Sequence, residues 1–311
     1  MKIAFLFPGQ GSQAVGMGRS LAEAFVESKS AFDAADQALG SSLSSLCFNG
    51  PDEELKLTEN TQPALLATSV AVLRALESRG IKAEGVAGHS LGEYSAVVAA
   101  KALRFEDAVR TVRLRGRYMQ EAVPVGKGAM AAILMLDAAM VEEACLEAAQ
   151  GEVVSPANLN CPGQIVIAGE AGAVDRAIAA CTRRGAKRAI RLAVSAPFHC
   201  ALMKPAEVRL QADLAGLSFE TASIPVYRNV DGAAQTSAEA LRDGLVRQVS
   251  LPVQWQKTLE TMSADGFDTF IEVGSGTVVS GLVKKTLKGA RVLNVEDPAS
   301  LEKAVQTLQE I

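Results

Sequence analysis

Residues 2–7 form a short apolar run, Lys2-Ile3-Ala4-Phe5-Leu6-Phe7, ended by Pro8-Gly9. A run of that length bounded by turn residues predicts a buried strand, and Gly9-Gln10-Gly11-Ser12-Gln13 then reads as a loop. Asn60-Thr61-Gln62-Pro63 is a helix-start signal and Gly80 a stop, which predicts a helix over 63–79. Its apolar positions spread around the helix, so it should be mostly buried. Residues 85–88 predict a short strand leading into Ser90. The helix after it carries Tyr94, Ala96, Val97, Val98, Ala99 and Ala100, a small apolar surface suited to the middle of a fold.

At residue 124 the rhythm changes. Pro124-Val125-Gly126-Lys127-Gly128 reads as a linker. After it the pattern predicts a strand (129–136), a helix (138–150), two strands (153–159 and 164–170), a helix (171–185) and a strand (187–192). That βαββαβ order is the ferredoxin-like split motif. Residues 125–192 are therefore expected to form a small insert. Strand-like runs return at 224–227, 268–273 and 291–295, separated by helical stretches. Strands alternating with helices predict an α/β fold with a mostly parallel sheet, the main domain being 1–124 together with 193–311.

A chain of 311 residues has room for one large domain or two, and can bury about three quarters of its unfolded surface. Hydrophobic residues at 49% and charged residues at 21% describe an ordinary soluble globular protein. Aromatics at 5% argue against a stacking platform for single-stranded nucleic acid. A net charge of -4 argues against a general phosphate-backbone binder. The five cysteines (Cys47, Cys145, Cys161, Cys181 and Cys200) are scattered and form no Cys-x-x-Cys, as expected of small buried side chains in a reducing compartment. With only two histidines as well, no zinc site is expected. The N-terminal apolar run is too short for a signal peptide, and no stretch of about 18 apolar residues is present, so a cytoplasmic location is expected.

The two histidines narrow the chemistry. His89 lies in Val86-Ala87-Gly88-His89-Ser90-Leu91-Gly92-Glu93, which contains Gly-x-Ser-x-Gly. That pattern sets a serine on a sharp strand-to-helix turn, where flanking side chains would crowd the backbone. The free N–H groups at the start of the following helix favour negative charge beside it. A serine nucleophile needs a base. Adjacent side chains on such a turn diverge, so His89 is disfavoured and His199 is the imidazole that remains. The other reading makes Ser90 a helix cap and His199 a hydrogen-bonded core residue. Cys200 is disfavoured as a nucleophile because a neighbour of the base points elsewhere. No carboxylate announces itself as a third member, but a backbone carbonyl or an amide can also orient an imidazole.

Gly9-Gln10-Gly11-Ser12-Gln13-Ala14 superficially matches a dinucleotide loop. Pro8 breaks the geometry that reading requires, and no strand ending in an acidic residue follows at the right distance. A glycine loop at the end of a strand can instead supply an oxyanion donor, with the N–H groups of Gln10 and Leu91 as the natural pair. Arg110, Arg113, Arg115 and Arg117 form a basic run, either a solvated helix face or the source of one inward fork for a substrate carboxylate. Arg183, Arg184, Lys187 and Arg188 are either a charged turn or a docking patch for an acidic partner.

These pieces together resemble the malonyl-CoA:acyl-carrier-protein transacylases of fatty acid synthesis, over essentially the whole chain. The markers are Phe7-Pro8-Gly9-Gln10-Gly11-Ser12-Gln13, Thr61-Gln62-Pro63-Ala64, Gly88-His89-Ser90-Leu91-Gly92-Glu93-Tyr94, Arg115-Gly116 followed by Met119-Gln120, Asn160-Cys161-Pro162-Gly163-Gln164, Phe198-His199, Pro252-Val253-Gln254-Trp255 and Glu272-Val273-Gly274. The resemblance implies an α/β-hydrolase-like core with a ferredoxin-like insert. It also implies a ping-pong transfer in which Ser90 carries the malonyl group from malonyl-CoA to the phosphopantetheine thiol of an acyl carrier protein. In that scheme His199 is the base, the Gln248 main-chain carbonyl orients it, Gln10 and Leu91 hold the oxyanion, and Arg115 binds the malonyl carboxylate. Phe198, Met119, Asn160 and Gln164 would line the substrate pocket, with Phe198 crowding the α-carbon and disfavouring methylmalonyl groups. No bound cofactor or metal is implied. The partner would be an acidic carrier protein, with Arg183, Arg184, Lys187 and Arg188 as the candidate docking patch, and the enzyme would be a monomer.

Two other functions fit the same residues. One is a serine esterase or thioesterase, which would release CoA to water without waiting for a thiol. The other is a non-catalytic carrier-binding module, against which the presence of Ser90, His199 and Arg115 together argues. A chain that starts at its own Met1 suggests a stand-alone enzyme.

Overall fold

The computed structural model describes residues 1–194 and 196–310; Ser195 and Ile311 lie outside the described residues. Among the described residues ten strands form two sheets. In chain order they are β1 (Ile3–Phe7), β2 (Gly85–Gly88), β3 (Gly128–Leu134), β4 (Val154–Cys161), β5 (Gln164–Glu170), β6 (Arg188–Arg191), β7 (Val226–Tyr227), β8 (Ala234–Gln235), β9 (Thr269–Val273) and β10 (Arg291–Val295).

The larger sheet runs β10-β9-β1-β2-β7-β8. It is parallel except where β8 returns antiparallel on β7. All five residues of β1 are buried because helices cover both faces. Its alternation sorts them: Ile3, Phe5 and Phe7 join one core cluster, while Ala4 and Leu6 join another with Ala87 and Phe270. The α/β class with a mostly parallel sheet therefore stands.

Strands later in the chain than β1 extend the sheet first on one side (β2, β7) and then on the other (β9, β10), so the strand order reverses at β1. A crevice opens beyond the carboxyl ends of strands at such a reversal. Phe7 and Gly88 sit side by side at those ends. The loops that follow them carry Gln10 and Ser90.

The smaller sheet, β4-β5-β3-β6, is antiparallel throughout. In chain order its elements are β3, helix Ala138–Ala149, β4, β5, helix Ala171–Arg183 and β6, the βαββαβ unit read from the sequence. Ala131, Ile133, Ile165 and Ile167 face those two helices, whereas Met130, Val166 and Ala168 face the main core. A parallel bridge fixes the small sheet to the larger body, with Leu159 N donating to Val253 O at 2.9 Å and Val253 N to Ala157 O at 2.8 Å. No described helix is long and apolar enough to cross a membrane.

Two elements depart from the sequence reading. The long helix starts at Thr58, not at Pro63, and ends at Ser78. Pro63 costs it one backbone hydrogen bond. The extra turn is held by Asn60 Nδ2 on Glu54 O (2.9 Å) and Thr61 Oγ1 on Leu55 O (2.5 Å). It also packs closely against Gly116, where an added Cβ would lie 2.6 Å from Thr58 O. The strand expected from 224 shrinks to Val226–Tyr227, since Pro225 has no N–H to donate and contributes only its carbonyl, to Val86 N at 2.9 Å.

Candidate active site

Ser90 stands on the turn between β2 and helix Gly92–Ala99 with φ of 52°, a left-handed conformation unusual for a side-chain-bearing residue. The flanking glycines are required by contact. A Cβ at Gly88 would lie 1.9 Å from Gly92 carbonyl atoms, and one at Gly92 would lie 2.2 Å from Phe7 O. The turn is then held from outside. Ser90 N donates to Asn229 Oδ1 (2.7 Å), Asn229 Nδ2 to Gly88 O (2.7 Å), and Gln248 Nε2 to Ser90 O (2.9 Å). These bonds offset a strain of about 1–3 kcal/mol.

His199, also in the left-handed region with φ of 59°, brings Nε2 to 2.7 Å from Ser90 Oγ. Its Nδ1 lies 2.6 Å from the main-chain oxygen of Gln248. A carbonyl can only accept, so Nδ1 carries the proton and Nε2 presents a lone pair to the serine hydroxyl. Burial first, and then the positive charge of Arg115, push the His199 pKa down to about 3. The imidazole is therefore neutral at neutral pH.

Arg115, six residues before the end of helix Phe105–Glu121, is 1% exposed. Its Nη1 donates to Gln62 Oε1 (2.7 Å), and its Nη2 to Gln248 Oε1 (2.6 Å) and Ser90 Oγ (3.3 Å). Among the described residues no carboxylate lies within ion-pair reach of it, and its Nε has no hydrogen-bond partner. A buried guanidinium held only by neutral amides beside a hydroxyl is suited to receive an anion.

A cavity of about 560 Å³ opens between the two sheets over these groups. Gln10, Leu91, Ser90, His199 and Arg115 line it, as do Met119, Asn160, Gln164 and Phe198. Gln248 lies buried behind the histidine. The structure thus gathers residues from five separated stretches of chain around one serine. The arrangement offers a hydroxyl, a neutral base and a fixed cation within one chamber.

A family profile described as the acyl transferase domain matches residues 4–309. The malonyl CoA-acyl carrier protein transacylase of Escherichia coli (strain K12) is 50% identical over 306 residues, covering 98% of this chain and 99% of that protein. The protein of the same name from Bacillus subtilis (strain 168) is 50% identical over 310 residues, covering 99% and 98%. The chain belongs to the acyl transferase family, among its malonyl CoA-acyl carrier protein transacylases. Among solved structures, an acyl carrier protein S-malonyltransferase from Vibrio cholerae matches with a TM-score of 0.96 at 50% identity, covering 98% of this chain and 100% of that one. A malonyl-transacylase solved in complex with its type II PKS acyl-carrier protein matches with the same TM-score at 49% identity, covering 99% and 100%.

Several residues of this family member escaped the sequence reading. Gln62 grips Arg115, and Asn229 holds the serine turn. Glu93 is fully buried behind them, and burial lifts its carboxyl to about 7 against the opposing pull of Gln248, Asn229, Arg228 and Arg115. His89 points away from the serine hydroxyl: its Nε2 meets the Asn160 side-chain oxygen at 2.8 Å and its ring packs edge-on against Trp255. Cys200 is buried beneath the site with its Sγ on Pro197 O at 3.2 Å, and burial pushes its thiol up to about 11. It is a thiol at neutral pH, not a thiolate. Arg183 and Arg184 both pair with Glu147 at 2.6 Å, and neither they nor Lys187 or Arg188 line the cavity. Among the described residues no cluster suited to a metal ion occurs.

Proposed function

We propose that this chain transfers a malonyl group from malonyl-CoA to the phosphopantetheine thiol of an acyl carrier protein, through a malonyl ester on Ser90. The observation that carries this reading is Arg115: a buried cation with no carboxylate partner among the described residues, 3.3 Å from the serine oxygen, is where an acyl group ending in a carboxylate would be held. Family membership supports the same substrate. As Ser90 Oγ attacks the thioester carbon, its proton passes to His199 Nε2 and the carbonyl π-electrons move to oxygen. The N–H groups of Gln10 and Leu91 hold that oxyanion, each worth about 10²–10³ in rate. Collapse breaks the C–S bond, and the CoA thiolate takes the proton from His199. The carrier thiol then repeats the steps in reverse. Residues 1–124 with 193–311 are read as the catalytic core and 125–192 as a small subdomain that roofs the cavity.

Brief mixing of the protein with malonyl-CoA, without carrier, followed by intact-protein mass spectrometry, is expected to give a single malonyl adduct. Fast CoA release with no adduct would favour a thioesterase.

Arg115→Lys keeps the charge but loses the fork. Malonyl transfer is expected to fall about 10–100-fold while acetyl transfer is spared. Equal loss of both in steady-state assays would make Arg115 a structural residue.

Phe198 is buried against the cavity and should crowd a branched α-carbon. Malonyl-CoA is expected to outpace methylmalonyl-CoA, and Phe198→Ala to narrow that gap about tenfold. Equal wild-type rates with the two donors would overturn this.

A further inference from the structure

Glu93 takes no part in the transfer steps above, yet three segments of the site converge on it. It lies in the first turn of helix Gly92–Ala99, three residues after Ser90. Its Oε2 accepts from Gln248 Nε2 at 3.1 Å, at the end of helix Ala238–Arg247, and from Asn229 N at 3.2 Å, just beyond β7. Both of those residues support the reacting groups. The side chain of Asn229 binds the main chain on either side of the serine turn. Gln248 places three different atoms: its main-chain oxygen on His199 Nδ1, its Oε1 on Arg115 Nη2 and its Nε2 on Ser90 O.

We infer that Glu93 is a positioning residue for acyl selectivity, setting the Arg115 fork through the side-chain amide of Gln248. A glutamine amide has two ends of nearly the same shape and opposite hydrogen-bonding sense. Arg115 needs Oε1 facing it; a flipped amide would set N–H against N–H. Glu93 Oε2 and Ser90 O both accept at the other end, so the amide has its partners there only when Nε2 points away from Arg115. Both contacts use Glu93 as an acceptor, and Oε2 can fill that role whether or not the carboxyl carries a proton. The other carboxyl oxygen, Oε1, is buried without a hydrogen-bond partner among the described residues, so its burial is a cost that the contacts of Oε2 must offset. This inference rests on the reading of Arg115 as the malonyl carboxylate site.

The test compares rates of serine acylation by malonyl-CoA and by acetyl-CoA, read as adduct formation by rapid-quench mass spectrometry. Acetyl carries no carboxylate for the fork to hold, so its rate reports the serine and histidine without that contact. Glu93→Leu removes the acceptor at similar size and is expected to lower the malonyl:acetyl ratio about tenfold or more. Glu93→Gln keeps an acceptor of the same shape and should hold the ratio within about threefold. Gln248→Ala retains the carbonyl under His199 and should lower the ratio as Glu93→Leu does; it decides the matter if Glu93→Leu does not fold. In the Gln248→Ala background, Glu93→Leu should have no further effect on the ratio. Equal loss with both donors in Glu93→Leu, an unchanged ratio in Gln248→Ala, or a Glu93→Gln ratio as low as that of Glu93→Leu would each overturn the inference. A wild type that forms no malonyl adduct would overturn it together with the reading beneath it.

Discussion

Ser90→Ala is expected to form no malonyl adduct and to lose transfer to the carrier by about 10⁴–10⁶. The size of that loss follows from what the alanine still does. The turn is held through the Ser90 main chain, whose N–H donates to Asn229 and whose oxygen accepts from Gln248. Alanine keeps both bonds and pays a similar penalty for the left-handed φ. His199 keeps the Gln248 carbonyl, and Arg115 keeps the side chains of Gln62 and Gln248. The variant should therefore fold, bind malonyl-CoA and lack only the atom that becomes acylated. The measurement is the adduct mass together with the thermal midpoint, which should move by no more than a few degrees. An adduct persisting in Ser90→Ala would transfer the nucleophile to another residue. Cys200 would be a poor one, with its thiol held up at about 11 and buried under Pro197.

The fold was legible because its cues are local. Five apolar residues between a charged start and Pro8-Gly9 make a strand in almost any context, and the βαββαβ rhythm needs only period and punctuation. Gly88 and Gly92 announce a turn because the backbone contacts that exclude a Cβ lie within a few residues or on the neighbouring strand. The beginning of helix Thr58–Ser78 was hidden for the opposite reason. Its first turn is favoured by contacts with Glu54, Leu55 and Gly116, which outweigh the local vote of Pro63. The same holds in the site. Ser90 and His199 stand out by motif and by scarcity, and the arginine run draws the eye without choosing among its members. The resemblance implies Arg115; in the fold it is 1% exposed, whereas Arg110 and Arg117 form surface pairs with Asp107 and Glu59. Gln62 and Glu93 stand inside family markers and Asn229 in none, but the sequence gives none of the three a role, because ordinary polar side chains acquire their roles from partners 53, 139 and 155 positions away.

His199→Ala is expected to slow serine acylation by about 10²–10⁴, since the hydroxyl must then lose its proton to water. The pH dependence of the wild type is the sharper test. An imidazole at its ordinary pKa of about 6.5 would lose base activity tenfold for each unit of pH below that value. Here burial and the Arg115 charge disfavour the imidazolium, so the neutral base persists down to about 3. Acylation at subsaturating malonyl-CoA should thus stay flat from pH 8 to pH 5, with no limb near 6.5. The same shift acts on stability with a defined sign. Below about 6.5 the unfolded chain takes up a proton at this imidazole and the folded chain does not, so stability present above that pH is lost as pH falls toward about 3. Each unit through that window costs up to about 1.4 kcal/mol at this group. His199→Ala should abolish that part of the acid sensitivity while slowing the chemistry, as denaturant titrations at pH 5 and pH 8 would reveal. A wild-type rate that drops tenfold per unit below 6.5 would mean that the base titrates as an ordinary histidine. Burial and Arg115 would then not control its protonation.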